Sequence, residues 1–249
     1  MKHENVTLQV NGFNVDAMFS LDNRDNLFIP LLKHLKHLKS LKQDRLVAFI
    51  AAPPGVGKST LSAYLERLSK ATPDLTPVQV LGLDGFHHKS DYLKSNYLKT
   101  DAKCILLNDV KGCPETFDID KFLSYLSQIN NDQVMWPIYD RTKHDVIDNQ
   151  IKIKEDIVIV EGNWLLLDEH KWRDARQYAD FTIFVEALEA DLKNRLVERK
   201  ITGGKSKEEA EEFYERSDKK NIVRVLKHRL YSNMTLQLTK NKDYIKKEK

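Results

Sequence analysis

The segment Ala52-Pro53-Pro54-Gly55-Val56-Gly57-Lys58-Ser59 fits G-x-x-x-x-G-K-[ST] at every fixed position but the first, where alanine stands for glycine. Residues of these types at this spacing cradle phosphate. Gly55 and Gly57 permit backbone angles that aim successive N–H groups at one point, and a helix starting near Lys58 adds the positive end of its dipole. In such a loop Lys58 reaches the β- and γ-phosphates and Ser59 ligates Mg²⁺, with the Thr60 hydroxyl toward the α-phosphate side. A lysine in the first helical turn opposes the dipole, so Lys58 makes sense there with an anion bound. Ala52 is compatible with the loop, because a strand-end residue with β-region angles accommodates a methyl group.

Two carboxylates stand in equivalent places. One apolar run ends in Leu83-Asp84-Gly85-Phe86-His87-His88, another in Val160-Glu161-Gly162-Asn163-Trp164. In open parallel sheets functional groups gather at the carboxyl ends of strands. Asp84 and Glu161 are therefore expected beside the loop, one accepting a hydroxyl proton and one holding the metal or its waters.

These side chains need a sheet to position them. Leu46 to Ala52 is wholly apolar and rich in β-formers, as in a strand buried on both faces of a parallel sheet. Leu61, Tyr64, Leu65 and Leu68 follow at helical spacing. Further strands are expected at 78–83, 133–138, 157–160, 181–185 and 235–238, and helices at 119–129, 166–176, 188–200, 206–216 and 221–231. Ser206 and Glu209 form a capping-box pattern. The alternation predicts a parallel sheet flanked by helices. Before it, two alternating runs joined by Asn11-Gly12 predict a β-hairpin, and leucines from Leu27 to Leu41 predict an amphipathic helix.

Composition narrows the class. With 249 residues, 41% hydrophobic and 31% charged, the chain is neither collagen-like, low-complexity nor predominantly disordered. No apolar run approaches the roughly 20 residues that span a bilayer, and no signal-peptide core leads the chain, so a cytoplasmic protein without membrane attachment is expected. Cys104 and Cys113 lack disulfide or zinc spacing and are expected to be ordinary thiols. Residues 240–249 carry the whole net charge of +3, leaving 35 basic and 35 acidic residues elsewhere. No nucleic-acid partner is expected on that balance, and a small-molecule substrate is; a homodimer is left open.

Taken together, several segments resemble the uridine kinase, phosphoribulokinase and type I pantothenate kinase superfamily, most of all its fructose-transport-system-kinase-like branch. They are Ala52 to Thr60, Leu83 to His87, Lys111-Gly-Cys-Pro-Glu-Thr-Phe-Asp118, Pro137-Ile-Tyr-Asp-Arg141 with His144, Val160 to Asn163, and Arg195 to Lys200. The resemblance implies an α/β fold of the P-loop NTPase, nucleoside-kinase-like type with an N-terminal β-hairpin and helix. It implies an ATP-dependent kinase using Mg²⁺, with the loop Pro54, Gly55, Val56, Gly57, Lys58, Ser59 and Thr60 on the nucleotide together with Arg195. Asp84 is implied as the general base, Glu161 as a residue near Mg²⁺ or the substrate, and His87, Tyr139, Arg141 and His144 as the acceptor-pocket group. Arg199, with Arg195 and Lys200, resembles the start of a lid over the transferring phosphoryl group, and Gly203-Gly204 its hinge. The expected division is an N-terminal extension over 1–45, a kinase domain over 46–240 and a solvated basic tail over 241–249. Residues 89–109 depart from the family, so the acceptor is ranked only as a sugar or sugar-like alcohol, then a nucleoside such as uridine, then pantothenate. The rival class is a nucleotide-dependent switch acting on a protein partner. Its Asn-Lys-x-Asp signature is met only by Asn241-Lys242-Asp243-Tyr244, with the aspartate one place early.

Overall fold

A computed structural model describes residues 2–99 and 104–248. Asn11 and Gly12 adopt φ of +51° and +84°, which a two-residue turn following the strand twist requires. They join β1 (His3–Val10) to β2 (Phe13–Ser20), paired antiparallel from His3 with Ser20 to Val10 with Phe13. A helical turn (Leu21–Asn23) and a π-helical turn (Arg24–Phe28) lead into α1 (Ile29–Ser40), whose Leu31, Leu32 and Leu35 are buried.

Next come β3 (Leu46–Ala51), α2 (Lys58–Ala71), β4 (Val78–Gly82), α3 (Ser90–Ser95), β5 (Tyr97–Lys99), β6 (Cys104–Leu106) and α4 (Ile119–Ser127). After these follow β7 (Met135–Asp140), β8 (Asp145–Lys152), β9 (Ile157–Gly162), β10 (Phe181–Glu186), α5 (Glu189–Thr202), α6 (Lys207–Phe213), α7 (Lys219–Lys227), β11 (Met234–Leu238) and β12 (Tyr244–Lys246). The main sheet runs β12-β11-β10-β3-β9-β4, parallel except for β12.

The central strand explains the layers. Leu46, Ala48 and Ile50 of β3 join one buried cluster with α1, α2 and the N-terminal hairpin, while Val47, Phe49 and Ala51 join another with α4, Trp136 and Trp164. Alternate side chains leave a strand on opposite faces, so an apolar run feeds both cores at once. The sheet, its flanking helices and the hairpin match the sequence expectation, as does the reciprocal capping box of Ser206 and Glu209.

Four details differ. The strand expected at 133–138 is β7, but it pairs with β8 in a separate hairpin and not in the main sheet. Pro137 cannot donate to a ladder, and the register shifts between Trp136 and Ile138. The helix expected at 166–176 is a buried, non-helical run, Trp164 to Leu167, followed by a 3₁₀ segment (Lys171–Tyr178). Leu166 and Leu167 are held by backbone contacts with Leu230 and Arg229, which helical hydrogen bonding would forgo. The α7 helix starts at Lys219 and ends at Lys227. Finally, the expected solvated tail is corrected over 244–246. Tyr244 is buried against Phe28, its backbone exchanges hydrogen bonds with the Asn23 side chain, and β12 pairs with β11.

Candidate active site

The loop between β3 and α2 combines anchored and exposed backbone. Pro53, Pro54 and Val56 are buried, whereas Gly55 and Gly57 take φ of +86° and +91°. Gly57 caps α2 with no side-chain hydrogen bond, and no acidic residue occupies its first turn. The first N–H groups of a helix have no intrahelical acceptor, so α2 presents an uncapped, dipole-positive end. A side chain at Gly57 would approach the Arg195 guanidinium to 3.0 Å. The positive φ at Gly57 disfavours any side chain there, and the uncapped helix end leaves N–H groups of the kind that bind anions.

Across the loop, Ser59 Oγ donates to Glu161 Oε1 at 2.8 Å, and Lys58 Nζ lies 3.6 Å from Glu161 Oε2. A hydroxyl and a carboxylate held this close are oxygen donors of the kind that Mg²⁺ takes. Among the described residues no cluster of three or more His, Cys, Asp or Glu forms a protein-only metal cage.

Asp84 sits in the short 3₁₀ turn (Leu83–Phe86) after β4, and Arg141 approaches it to 3.6 Å. Burial pushes the Asp84 carboxyl up, but the positive field of His87, Lys58, Arg141 and Arg199 outweighs it and holds Asp84 below the ordinary carboxylate range. Glu161 goes the other way. Burial, reinforced by the charge of Asp84, raises it despite Lys58. Two facing carboxylates are thereby driven apart in acidity, the arrangement by which sites assign different tasks to like groups.

Gly85 fixes the geometry of this turn. A Cβ there would lie 2.6 Å from the Pro137 carbonyl carbon and 3.0 Å from the Ile138 nitrogen. Both obstacles are backbone, and Trp136 Nε1 ties the same strand to the Gly82 carbonyl at 2.9 Å. We expect Gly85→Ala to push β7 from Asp84 and cost about 1–3 kcal/mol of stability, read as a lowered denaturant midpoint together with loss of turnover. An unchanged midpoint would mean that β7 yields freely.

The structure brings together the loop, Glu161, Asp84, Tyr139 and Arg141. Ser59, Asp84, Tyr139, Arg141 and Glu161 line a cavity of about 460 Å³. A second cavity of about 540 Å³ is lined by the hairpin residues Asn5 to Thr7 and Val15 to Phe19 together with Gly57, Thr60, Arg195 and Tyr244 among others. Arg199 lies one turn beyond Arg195 on α5, within electrostatic reach of Asp84 and Asp218. Lys200 turns away, 3.6 Å from Asp218 Oδ2 and 3.6 Å from the Phe213 ring centre.

Two residues expected in the acceptor pocket are not among the groups lining the 460 Å³ cavity. His87 packs 3.8 Å, centre to centre, from Phe117, with Nδ1 2.9 Å from the Asp84 carbonyl, so it supports the turn from behind. His144 is exposed at the β7–β8 turn with φ of +53°, and its carbonyl accepts from Ser90 and Lys111. Sequence reasoning passed over Lys111, whose Nζ donates to Tyr139 Oη at 2.8 Å and feels Asp84. Its place at the head of a family-like segment was the available signal. It also passed over Glu66 and the hairpin residues Gln9 to Phe13, which line the same cavity.

Residues 47–243 match the Phosphoribulokinase / Uridine kinase family, and the chain belongs to that family of P-loop kinases. Among individual proteins, it is 39% identical to "Uncharacterized protein YggC" of Escherichia coli K12, over 96% of this chain and 98% of that one. It is 30% identical to a pantothenate kinase of Lactococcus lactis subsp. cremoris, over 72% of this chain and 62% of that one. A crystal structure from Silicibacter sp. TM1040, described as a "putative fructose transport system kinase", superposes with a TM-score of 0.74 at 28% identity, covering 84% of this chain and 98% of that one.

Proposed function

We propose that the protein transfers the γ-phosphoryl group of ATP to a hydroxyl of a small metabolite. The supporting observation is that Ser59, Glu161 and Asp84 line one cavity, with Lys58 3.6 Å from Glu161, beside an uncapped helix end.

In this reading the amides from Gly55 to Thr60 hold the phosphates, and Thr60 and Arg195 border the cavity that takes the nucleoside. Ser59 and Glu161 would hold Mg²⁺, which would supply positive charge to the transferring phosphates. Lys58 and Arg199 face the oxygens on which charge develops, where preorganised donors act most strongly. Asp84 accepts the hydroxyl proton, and the positive field that holds its carboxyl below the ordinary range keeps it ionised at neutral pH. Phosphoryl transfer through a loose transition state needs an oriented acceptor more than a strong base. Tyr139 and Arg141 orient that acceptor, with His87 and His144 supporting the turns that carry Asp84 and Arg141. The glycines Gly203 and Gly204, ending α5, serve as the hinge of a lid bearing the arginines.

The acceptor ranks as a sugar or sugar-like alcohol, then a nucleoside, then pantothenate. A coupled ADP-release screen across sugars, polyols, uridine and pantothenate tests the reading. ADP production dependent on one such compound is the expected result. Release stimulated only by a protein, or by none of them, would overturn it.

A further inference from the structure

The N-terminal hairpin precedes the residues that match the family, yet its tip reaches the reacting groups. Val10, Asn11, Gly12 and Phe13 line the 460 Å³ cavity together with Asp84 and Arg141. Three features fix that placement. Alternate residues Val6 and Leu8 of β1, and Phe19 of β2, are buried in the core. The Phe19 ring stacks on Tyr64 with centres 3.8 Å apart, and Tyr64 Oη donates to Glu4. Tyr64 belongs to α2, the helix that begins at Lys58, so the hairpin and the phosphate loop are mounted on one rigid element. The Asn11-Gly12 turn then directs the tip over the cleft, leaving Phe13 49% exposed at its rim.

An aromatic residue half-exposed at a cavity rim gains from covering the apolar face of a ligand. Charge limits what that ligand is. Among the lining groups Glu66, Asp84, Asp140 and Glu161 face a single guanidinium, Arg141, which Asp84 already engages. Lys58 and Arg199 act on Asp84 from outside this lining and are the cations assigned to the phosphates, so an anionic acceptor would enter against the carboxylates of the lining, whereas an uncharged polyhydroxy compound would meet hydrogen-bonding partners. We propose that the hairpin turn Val10–Phe13 is the outer wall of the acceptor pocket, that Phe13 contacts the acceptor, and that the acceptor is an uncharged polyhydroxy compound with an apolar ring face. This rests on the kinase reading above and specifies its substrate class.

The test is steady-state kinetics of wild type, Phe13→Ala and Phe13→Tyr with fructose, ribose, glycerol, uridine and pantothenate as probes. With the acceptor that the wild type uses, Phe13→Ala should raise the acceptor KM about tenfold, leave the ATP KM within about twofold, and Phe13→Tyr should restore the wild-type value. An acceptor KM that moves less than about twofold would overturn the wall while leaving the kinase reading intact. Preference for pantothenate would overturn the uncharged class alone. Should no probe be phosphorylated, the acceptor ranking fails, and the wall is read separately from the tryptophan emission of the Phe13→Trp variant. A spectral shift on adding any one probe supports the wall; no shift with any of them overturns it.

Discussion

Lys58→Ala is expected to lower turnover by about 10²–10³-fold or more, into the background of a coupled ADP-release assay. Lys58 is largely buried, with 14% of its side chain exposed, and stands 3.6 Å from a Glu161 that is more buried still. It is thus the cation nearest the carboxylate assigned to Mg²⁺ and, by the loop's construction, nearest the phosphoryl group that moves. Alanine removes a preorganised charge that water in a closed cleft replaces poorly. It also strips Glu161 of the neighbour that opposes its protonation, so the remaining carboxylate shifts further toward its neutral form. Lys58→Arg separates charge from shape. Arginine keeps the charge but carries a wider, planar head, and the loop leaves only limited room beside Gly57 and Arg195. We expect it to recover part of nucleotide binding, seen by calorimetry with Mg-ADP, and little turnover. A folded Lys58→Ala protein retaining turnover within about tenfold of wild type would remove the loop from the mechanism.

The residues on which this rests were legible because each is locally determined. Lys58, Asp84 and Glu161 follow apolar runs, and a strand buried on both faces leaves little doubt about where it ends or which neighbour it feeds. Glycine requirements at 55 and 57 likewise follow from a turn only a few residues long. What stayed hidden depends on contacts distant in sequence. Nothing near Asn11 announces that its turn lies over Asp84, since the link runs through Phe19 on Tyr64, 45 positions later. The displacement of β7 from the sheet was foreshadowed by Pro137 alone, and β8, with Asp145, Asp148 and Lys152 along it, is too polar to read as a buried strand. The closing strand β12 lies among lysines whose charge suggested solvent. Tyr244 is the apolar anchor there, and its partner Asn23 is 221 residues away.

Asp84→Asn should separate the chemical step from nucleotide binding. The amide preserves the size of the side chain but neither carries charge nor accepts a proton at neutral pH, so an acceptor hydroxyl loses its base. Removing a general base of this kind lowers turnover by about 10²–10⁴-fold, and the loose transition state of phosphoryl transfer places the expectation toward the lower end. Binding should respond differently. Asp84 faces Lys58, Arg141 and Arg199, and its negative charge attenuates the positive field these present to phosphate. Neutralising it leaves that field at least as strong, and it relieves the repulsion that raises Glu161. Mg-ADP affinity by calorimetry should therefore stay within about threefold of wild type while turnover falls. The pH profile adds a second reading. Because Asp84 is held below the ordinary carboxylate range, its ionised form persists as pH falls and is lost only as pH drops through that lowered value. The acidic limb assigned to this group should accordingly vanish in Asp84→Asn. Wild-type turnover in Asp84→Asn would take the proton-accepting role from Asp84. A parallel collapse of turnover and Mg-ADP affinity would instead make this carboxylate a structural support of the nucleotide loop.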